Sequence, residues 1–146
     1  MRHLNIDIET FSSVDIKKAG LYKYVQSPDF QVLLFAYSLD NAPVQIVDLA
    51  QGEKIPNEIL YLLFDSNIIK HAYNAPFEWY CLSKWAYQQA YLYEPVYIDW
   101  LKQWQCTMMH GLYCGYTAGL AATAVALGLP EDKRKMGIGT ALIRTF

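Results

Sequence analysis

The first third of the chain alternates apolar and polar positions in the way that β-strands do. Residues 2–9 are apolar at positions 4, 6 and 8 and polar at the odd positions between them, which predicts a strand with one buried face. Residues 30–40 are rich in β-branched and aromatic side chains and predict a second, buried strand. The turn residues at 40–43 lead into a third strand at 44–48. We therefore expect the chain to open as a meander of strands.

The rest of the pattern alternates short strands with helices. The segment between the first two strands predicts a loop with one helical turn, and Asn74-Ala75-Pro76 predicts a helix start. A meander followed by such alternation predicts an α/β fold with a five-stranded sheet of mixed direction flanked by helices. The further predicted elements are helices at 56–64, 74–89, about 106–114 and 118–128, and strands at 68–71 and 96–98.

Composition narrows the classes of function. A chain of 146 residues that is 53% hydrophobic predicts one domain with a buried core. Its net charge of -2 does not attract nucleic acid overall, so a polyanion needs a local basic patch or bound cations. Three cysteines without a CxxC pair, and a first strand too close to Met1 for a signal peptide, favour the cytoplasm.

Residues 103–130 contain no Asp, Glu, Lys or Arg, which raises the possibility of a membrane helix. Polar residues and glycines in this stretch favour a buried helical pair broken near 115–117 instead, so no membrane partner is expected. Cys106, His110 and Cys114 are spaced along one helix face, as zinc ligands can be. A buried core stripe explains that spacing more simply.

Asp7 and Glu9 are the first candidates for chemistry. Side chains two positions apart on a strand lie about 6.6 Å apart on one face, so the two carboxylates repel each other. Magnesium would relieve that repulsion, because it prefers oxygen ligands and completes its shell with water and phosphates. The structural alternative is that Asn5, Asp7 and Glu9 form an ordinary solvated strand face.

Glu78 is the second candidate. It lies in the first turn of a helix that follows a strand, and ligands collect at that edge of open α/β sheets. The structural alternative is helix capping, with Ala75 as the cap and Glu78 bonding back to the N–H of the cap residue.

Together these stretches resemble a known family. Asp-x-Glu-Thr at 7–10 and Asn-x-x-Phe-Glu at 74–78 resemble the first two motifs of the DEDD 3′–5′ exonucleases. The longer segments resemble the proofreading domain of bacteriophage-type, family A DNA polymerases; they are residues 7–40, 71–82, 104–129 and 132–146. The resemblance implies a ribonuclease H-like fold and two-metal hydrolysis of the last phosphodiester at a DNA 3′ end.

The resemblance also implies roles for individual residues. Asp7 would bridge two Mg²⁺ or Mn²⁺ ions, and Glu9 and Glu78 would be further ligands. The expected partners are a single-stranded DNA 3′ end and a polymerase domain of the same longer chain. The residues that would contact the terminal nucleotides are Thr10, Phe11, Asn74 and Phe77.

Independently of the resemblance, the basic run at Lys133 and Lys135 would contact DNA phosphates, or it is a solvated turn.

Two departures from the family pattern affect the expected activity. Glu78 stands where many relatives have Asp, and the third motif, Tyr-x-x-x-Asp, is missing from the C-terminal region. Tyr61 and Asp65 have that spacing but precede the second motif, so we interpret them as an ordinary helix end. Residues 1–146 are therefore expected to be one incomplete exonuclease domain, cut short before the third motif and weakly active or inactive.

Two alternatives to the exonuclease remain open. One is a nuclease-like module without catalysis that binds DNA or has a structural role, and the other is a 3′–5′ exoribonuclease that trims RNA.

Overall fold

The computed structural model describes residues 2–93, 98–116 and 119–135. They form a five-stranded sheet in the order β3-β2-β1-β4-β5. The meander β1-β2-β3 is antiparallel, whereas β1, β4 and β5 run parallel. This confirms the expected mixed sheet. The strands are β1 (Arg2–Phe11), β2 (Gln31–Leu39), β3 (Gln45–Asp48), β4 (Ile68–Ala72) and β5 (Trp104–Cys106).

Along the chain, helices lie between the strands and after the last of them. By its internal contacts the chain divides into two compact units, with the boundary between Cys106 and Thr107. The expectation of a single domain stays a prediction. The helices are α1 (Ile16–Ala19), α2 (Leu21–Gln26), α3 (Asn57–Phe64), α4 (Ala75–Gln88), α5 (Ile98–Leu101), α6 (Thr107–Tyr113) and α7 (Leu120–Ala126), with 3-10 turns at Leu49–Gln51 and Glu131–Lys133.

The meander reverses where the turn residues predicted it. Asp40 and Asn41 have φ angles of 50° and 62°, in the left-handed region that aspartate and asparagine tolerate better than most residues. Asp40 also accepts hydrogen bonds from the backbone N–H of His3 and from the Arg2 side chain. The turn is therefore tied back to the start of the central strand.

The core of the first unit lies between the sheet and its helices. Leu4, Phe35 and Leu82 bring β1, β2 and α4 together, and each is completely buried. The indole N–H of Trp100 donates to the Leu63 carbonyl oxygen at 2.9 Å, which satisfies a polar group inside this core. Because α4 contacts β1, β2, β4 and β5, its first turn is held in a defined place beside the central strand.

Two predictions about local structure were wrong. The strand expected at 96–98 does not continue into Ile98, which begins α5, and residues 94–97 lie outside the described part of the chain. The fifth strand is Trp104–Cys106, whose three residues are too few to show alternation and which forms only by pairing with β4. The segment expected to hold one helical turn forms both α1 and α2.

The uncharged stretch also differs from its prediction. Cys106 pairs with Ala72 in the sheet, so α6 begins one residue later and the three spaced residues do not share a helix. His110 and Cys114 are exposed, and the buried core stripe was therefore wrong. Among the described residues, no helix is long and apolar enough to span a membrane. Residues 136–146, which belong to the last segment of the family resemblance, lie outside the described part.

Candidate active site at the end of the first strand

At the candidate site, β1 extends beyond the end of the neighbouring strand β4. Their pairing covers only Arg2 to Asn5 of β1, and β4 ends at Ala72. Asp7 and Glu9 lie farther along β1, in the part that β4 does not reach. The chain leaves β4 and enters α4, which contacts β1. The start of this helix therefore lies close to the two acidic residues.

Asp7 and Glu9 are exposed, in contrast to the buried side chains of Leu4, Ile6 and Ile8 on the same strand. This exposure agrees with the solvated-face alternative as well as with a role as metal ligands. Directly after Glu9 the register between β1 and β2 shifts at a β-bulge before Thr10. Such bulges redirect side chains and are common beside active sites. Both carboxylates are thus accessible to ions and to a substrate.

Glu78 is the buried member of the acidic group. Its side chain is only 5% exposed, and its Oε2 atom has no hydrogen-bond partner. Burial raises the pKa of Glu78 from 4.5 to about 8; its own backbone N–H lowers it, and the negative charges of Asp7 and Glu9 raise it further. The three carboxyl groups therefore act on one another electrostatically, although they come from sequence positions about 70 residues apart.

The start of α4 does not match the capping alternative. The N-cap residue is Asn74 rather than Ala75, so the position that completes a capping box is Phe77. Glu78 is the fourth residue of the helix, on the side that carries the buried residues Ala75, Cys81 and Leu82. Its burial follows from this helical spacing.

The donor atoms fit a hard divalent cation, but they do not form a closed cage. Among the described residues, no group of three or more His, Cys, Asp or Glu side chains is arranged to hold a metal ion. Three carboxylates, one with an unpartnered oxygen, nevertheless have the chemistry that Mg²⁺ and Mn²⁺ favour. Ions at this place would take the rest of their ligands from water and substrate phosphates.

The family resemblance implies four nucleotide-binding residues, and they lie near these acids along the chain. Thr10 Oγ1 lies 2.8 Å from the Tyr24 hydroxyl oxygen. Phe11 and Phe77 are half-buried, so part of each ring is accessible, and Asn74 is exposed. The structure therefore places Thr10 and Phe11 next to Glu9 on β1, and Asn74 and Phe77 at the start of α4.

Lys133 and Lys135 belong to the second unit. Both side chains are exposed, at the end of the 3-10 turn Glu131–Lys133 and just after it. This exposure agrees equally with a phosphate contact and with a solvated turn.

Tyr24 is a neighbour of the site that the sequence patterns did not identify. Its ring is partly buried against the core, and its hydroxyl group contacts Thr10. Burial raises the pKa of Tyr24, the Thr10 hydrogen bond lowers it, and the charges of Cys81 and Glu9 raise it again. No motif spacing points to this residue, because the contact arises only from the packing of α2.

The sequence and the fold are each similar to a known protein. No family model matches the chain. It is 47% identical, over all 146 residues, to the DNA polymerase of Bacillus phage SP02, and it spans only 21% of that relative's length. The fold is similar to a chain in the structure of the yeast NOT1 MIF4G domain co-crystallized with CAF1, with a TM-score of 0.56 and 13% identity. That similarity covers 88% of this chain and 69% of the other.

The chain is homologous along its whole length to one region of a phage DNA polymerase. The structural match, together with the sheet order, shows the expected ribonuclease H-like fold. At 13% identity the match speaks to the fold alone.

Proposed function

We propose that this chain is the 3′–5′ exonuclease, proofreading part of a DNA polymerase. The observation that carries the proposal is the buried Glu78 carboxyl, which has an unpartnered oxygen and lies within the electrostatic reach of Asp7 and Glu9. Ionising a buried carboxyl group without a hydrogen-bond partner costs free energy unless a cation binds beside it. The similarity to a phage DNA polymerase supports a DNA substrate and a polymerase domain as the partner.

The chemistry would be hydrolysis of the terminal phosphodiester bond. When bound, a pair of Mg²⁺ or Mn²⁺ ions supplies an activated water and stabilises the departing oxygen. Asp7, Glu9 and Glu78 would hold these ions as carboxylate ligands. Asp7 and Glu9 are exposed, so they would lie next to the substrate phosphate. Glu78 is buried, so it would bind an ion from the protein interior.

The substrate strand would be held by residues on both sides of the acids. Phe11 and Phe77 offer ring faces for stacking on bases, which is worth about 1–3 kcal/mol per base. Thr10 and Asn74 supply polar groups for the sugar and phosphate of the last nucleotide. Lys133 and Lys135 would add phosphate contacts.

The proposal is tested by measuring metal-dependent DNA hydrolysis by the longest natural polypeptide that contains these residues. A 5′-labelled single-stranded DNA should be shortened one nucleotide at a time from its 3′ end in Mg²⁺ or Mn²⁺. Asp7→Ala should lower the rate by at least about a hundredfold, since a single electrostatic group commonly contributes that much. Glu58→Ala, an exposed acid in the first turn of α3, is the matched control and should cleave like the wild type.

A nuclease-like module without catalysis is the second candidate. The observation that favours it is the lack, among the described residues, of a ready three-ligand metal group. Under that proposal the polypeptide binds single-stranded DNA with no cleavage in either metal, and Asp7→Ala leaves the result unchanged. Preference for an RNA 3′ end in the same assay would instead identify an exoribonuclease.

The 146 residues alone should cleave weakly or not at all. A third-motif carboxylate and tyrosine, expected from the family resemblance, are not among them. Cleavage by these residues at the rate of a longer natural polypeptide would show that three carboxylates are sufficient.

A further inference from the structure

Two histidines form a direct contact across the central strands. His3 on β1 and His71 on β4 approach to 2.7 Å between Nδ1 and Nε2, with ring centroids 5.0 Å apart and planes inclined by 34°. His71 lies opposite Asn5 in the parallel register, so His3 is its diagonal neighbour two residues back. The two side chains therefore share a sheet face, and one of the two ring nitrogens donates a hydrogen bond to the other.

Hydrogen bonds to Asp40 fix the backbone of β1 next to this pair. Asp40 accepts a hydrogen bond from the His3 backbone N–H at 2.8 Å and one from Arg2 Nε at 2.9 Å, which fixes the start of β1. Burial lowers the pKa of His71, and the neighbouring His3 lowers it further. The neutral imidazole ring is the form that ligates metals.

We propose that His3 and His71 together bind one transition-metal ion of the Ni²⁺, Cu²⁺ or Zn²⁺ class, bridging β1 to β4. Imidazole nitrogens suit these ions, whereas Mg²⁺ and Mn²⁺ prefer carboxylates. Two nitrogens at the usual 2.0–2.1 Å from a tetrahedral ion are roughly 3.3 Å apart. Small rotations of the two rings open the observed contact to that separation, and water completes the shell.

This ion would be separate from the acidic site. His3 and Asp7 are four residues apart on the same strand, which corresponds to about 13 Å. The proposal concerns nitrogen ligands at the start of β1, so it does not depend on whether the acids at its other end catalyse hydrolysis.

Calorimetric titration of the whole chain with Ni²⁺ tests the proposal. One ion should bind per chain, and either His3→Gln or His71→Gln should weaken binding at least about tenfold. The matched control is His110→Gln combined with Cys114→Ser, which removes the exposed histidine and cysteine of the second unit. That control should bind Ni²⁺ within about twofold of the wild type, and circular dichroism should show that every variant is folded.

Electron paramagnetic resonance of bound Cu²⁺ gives an independent readout. The hyperfine pattern should show two imidazole nitrogens in the wild type and in the control, and at most one in each histidine variant. The proposal is overturned if Ni²⁺ binding is unchanged in either histidine variant, or if it is lost in the control or in Glu78→Gln instead.

Discussion

Replacing Glu78 with glutamine should stabilise the protein, by an amount that grows with pH. The substitution keeps the shape of the side chain and removes its charge. The folded pKa of about 8 lies above the unfolded value of 4.5. Between these values the unfolded chain releases a proton that the folded chain retains, so the wild-type free energy of unfolding falls as the pH rises.

The magnitude follows from that difference of about 3.5 pH units. Each unit corresponds to 1.36 kcal/mol, which gives about 5 kcal/mol once the pH exceeds the folded pKa and about 3 kcal/mol at pH 7. Local relaxation around the first turn of α4 reduces the cost of ionisation, so we expect a gain of about 2–4 kcal/mol at pH 8. At pH 4.5 and below, the two proteins should differ little.

Urea denaturation followed by tryptophan fluorescence at pH 5, 6, 7 and 8 measures the difference. Glu58→Gln is the control, because this exposed acid also lies in a first helical turn. It should change the free energy of unfolding by less than about 0.5 kcal/mol at every pH. The reasoning is refuted if Glu78→Gln is no more stable than the wild type at pH 8, or if the gap does not widen from pH 5.

The same experiment in Mn²⁺ connects this stability to the proposed function. A bound cation favours the ionised form of Glu78, so the wild type should gain stability and release protons when Mn²⁺ binds. Glu78→Gln should gain much less, and the gap at pH 8 should narrow. A gap that does not respond to Mn²⁺ would favour the module without catalysis.

Three further changes test other parts of the chain. Burial lowers the pKa of Lys70 to about 8, although its ammonium group donates hydrogen bonds to the Asp65 carbonyl oxygen and to Gln103 Oε1. Between pH 10 and pH 8 the unfolded lysine takes up a proton before the folded one does, so the wild type should lose about 1–2 kcal/mol of stability relative to Lys70→Met after allowance for solvent screening. Equal stability differences in urea denaturation at the two pH values would contradict this. Phe11→Ala should weaken binding of single-stranded DNA by about 1–3 kcal/mol in fluorescence anisotropy, and unaltered affinity would exclude stacking on this ring. The double substitution Lys133→Ala, Lys135→Ala should lower the salt dependence of that binding by about 1.4 in log-log slope, whereas an unchanged slope would leave the two lysines as a solvated turn.

The sequence by itself determined the elements that have strong local signals. The alternation of residues 2–9 specified a strand with one buried face, since apolar side chains at every second position can be buried together only in that way. Asp40 and Asn41 specified the reversal of the chain, because their side chains tolerate left-handed backbone angles. The motif spacing also singled out Asp7, Glu9 and Glu78 as a set.

Only the tertiary structure decided how those residues meet. The fifth strand exists because Trp104 to Cys106 pair with β4, and three residues carry no periodic signal of their own. Glu78 is buried while Asp7 and Glu9 are exposed because β4 ends early and α4 packs beside the remainder of β1. Burial and long-range pairing depend on contacts between residues distant along the chain, and local sequence patterns do not contain them.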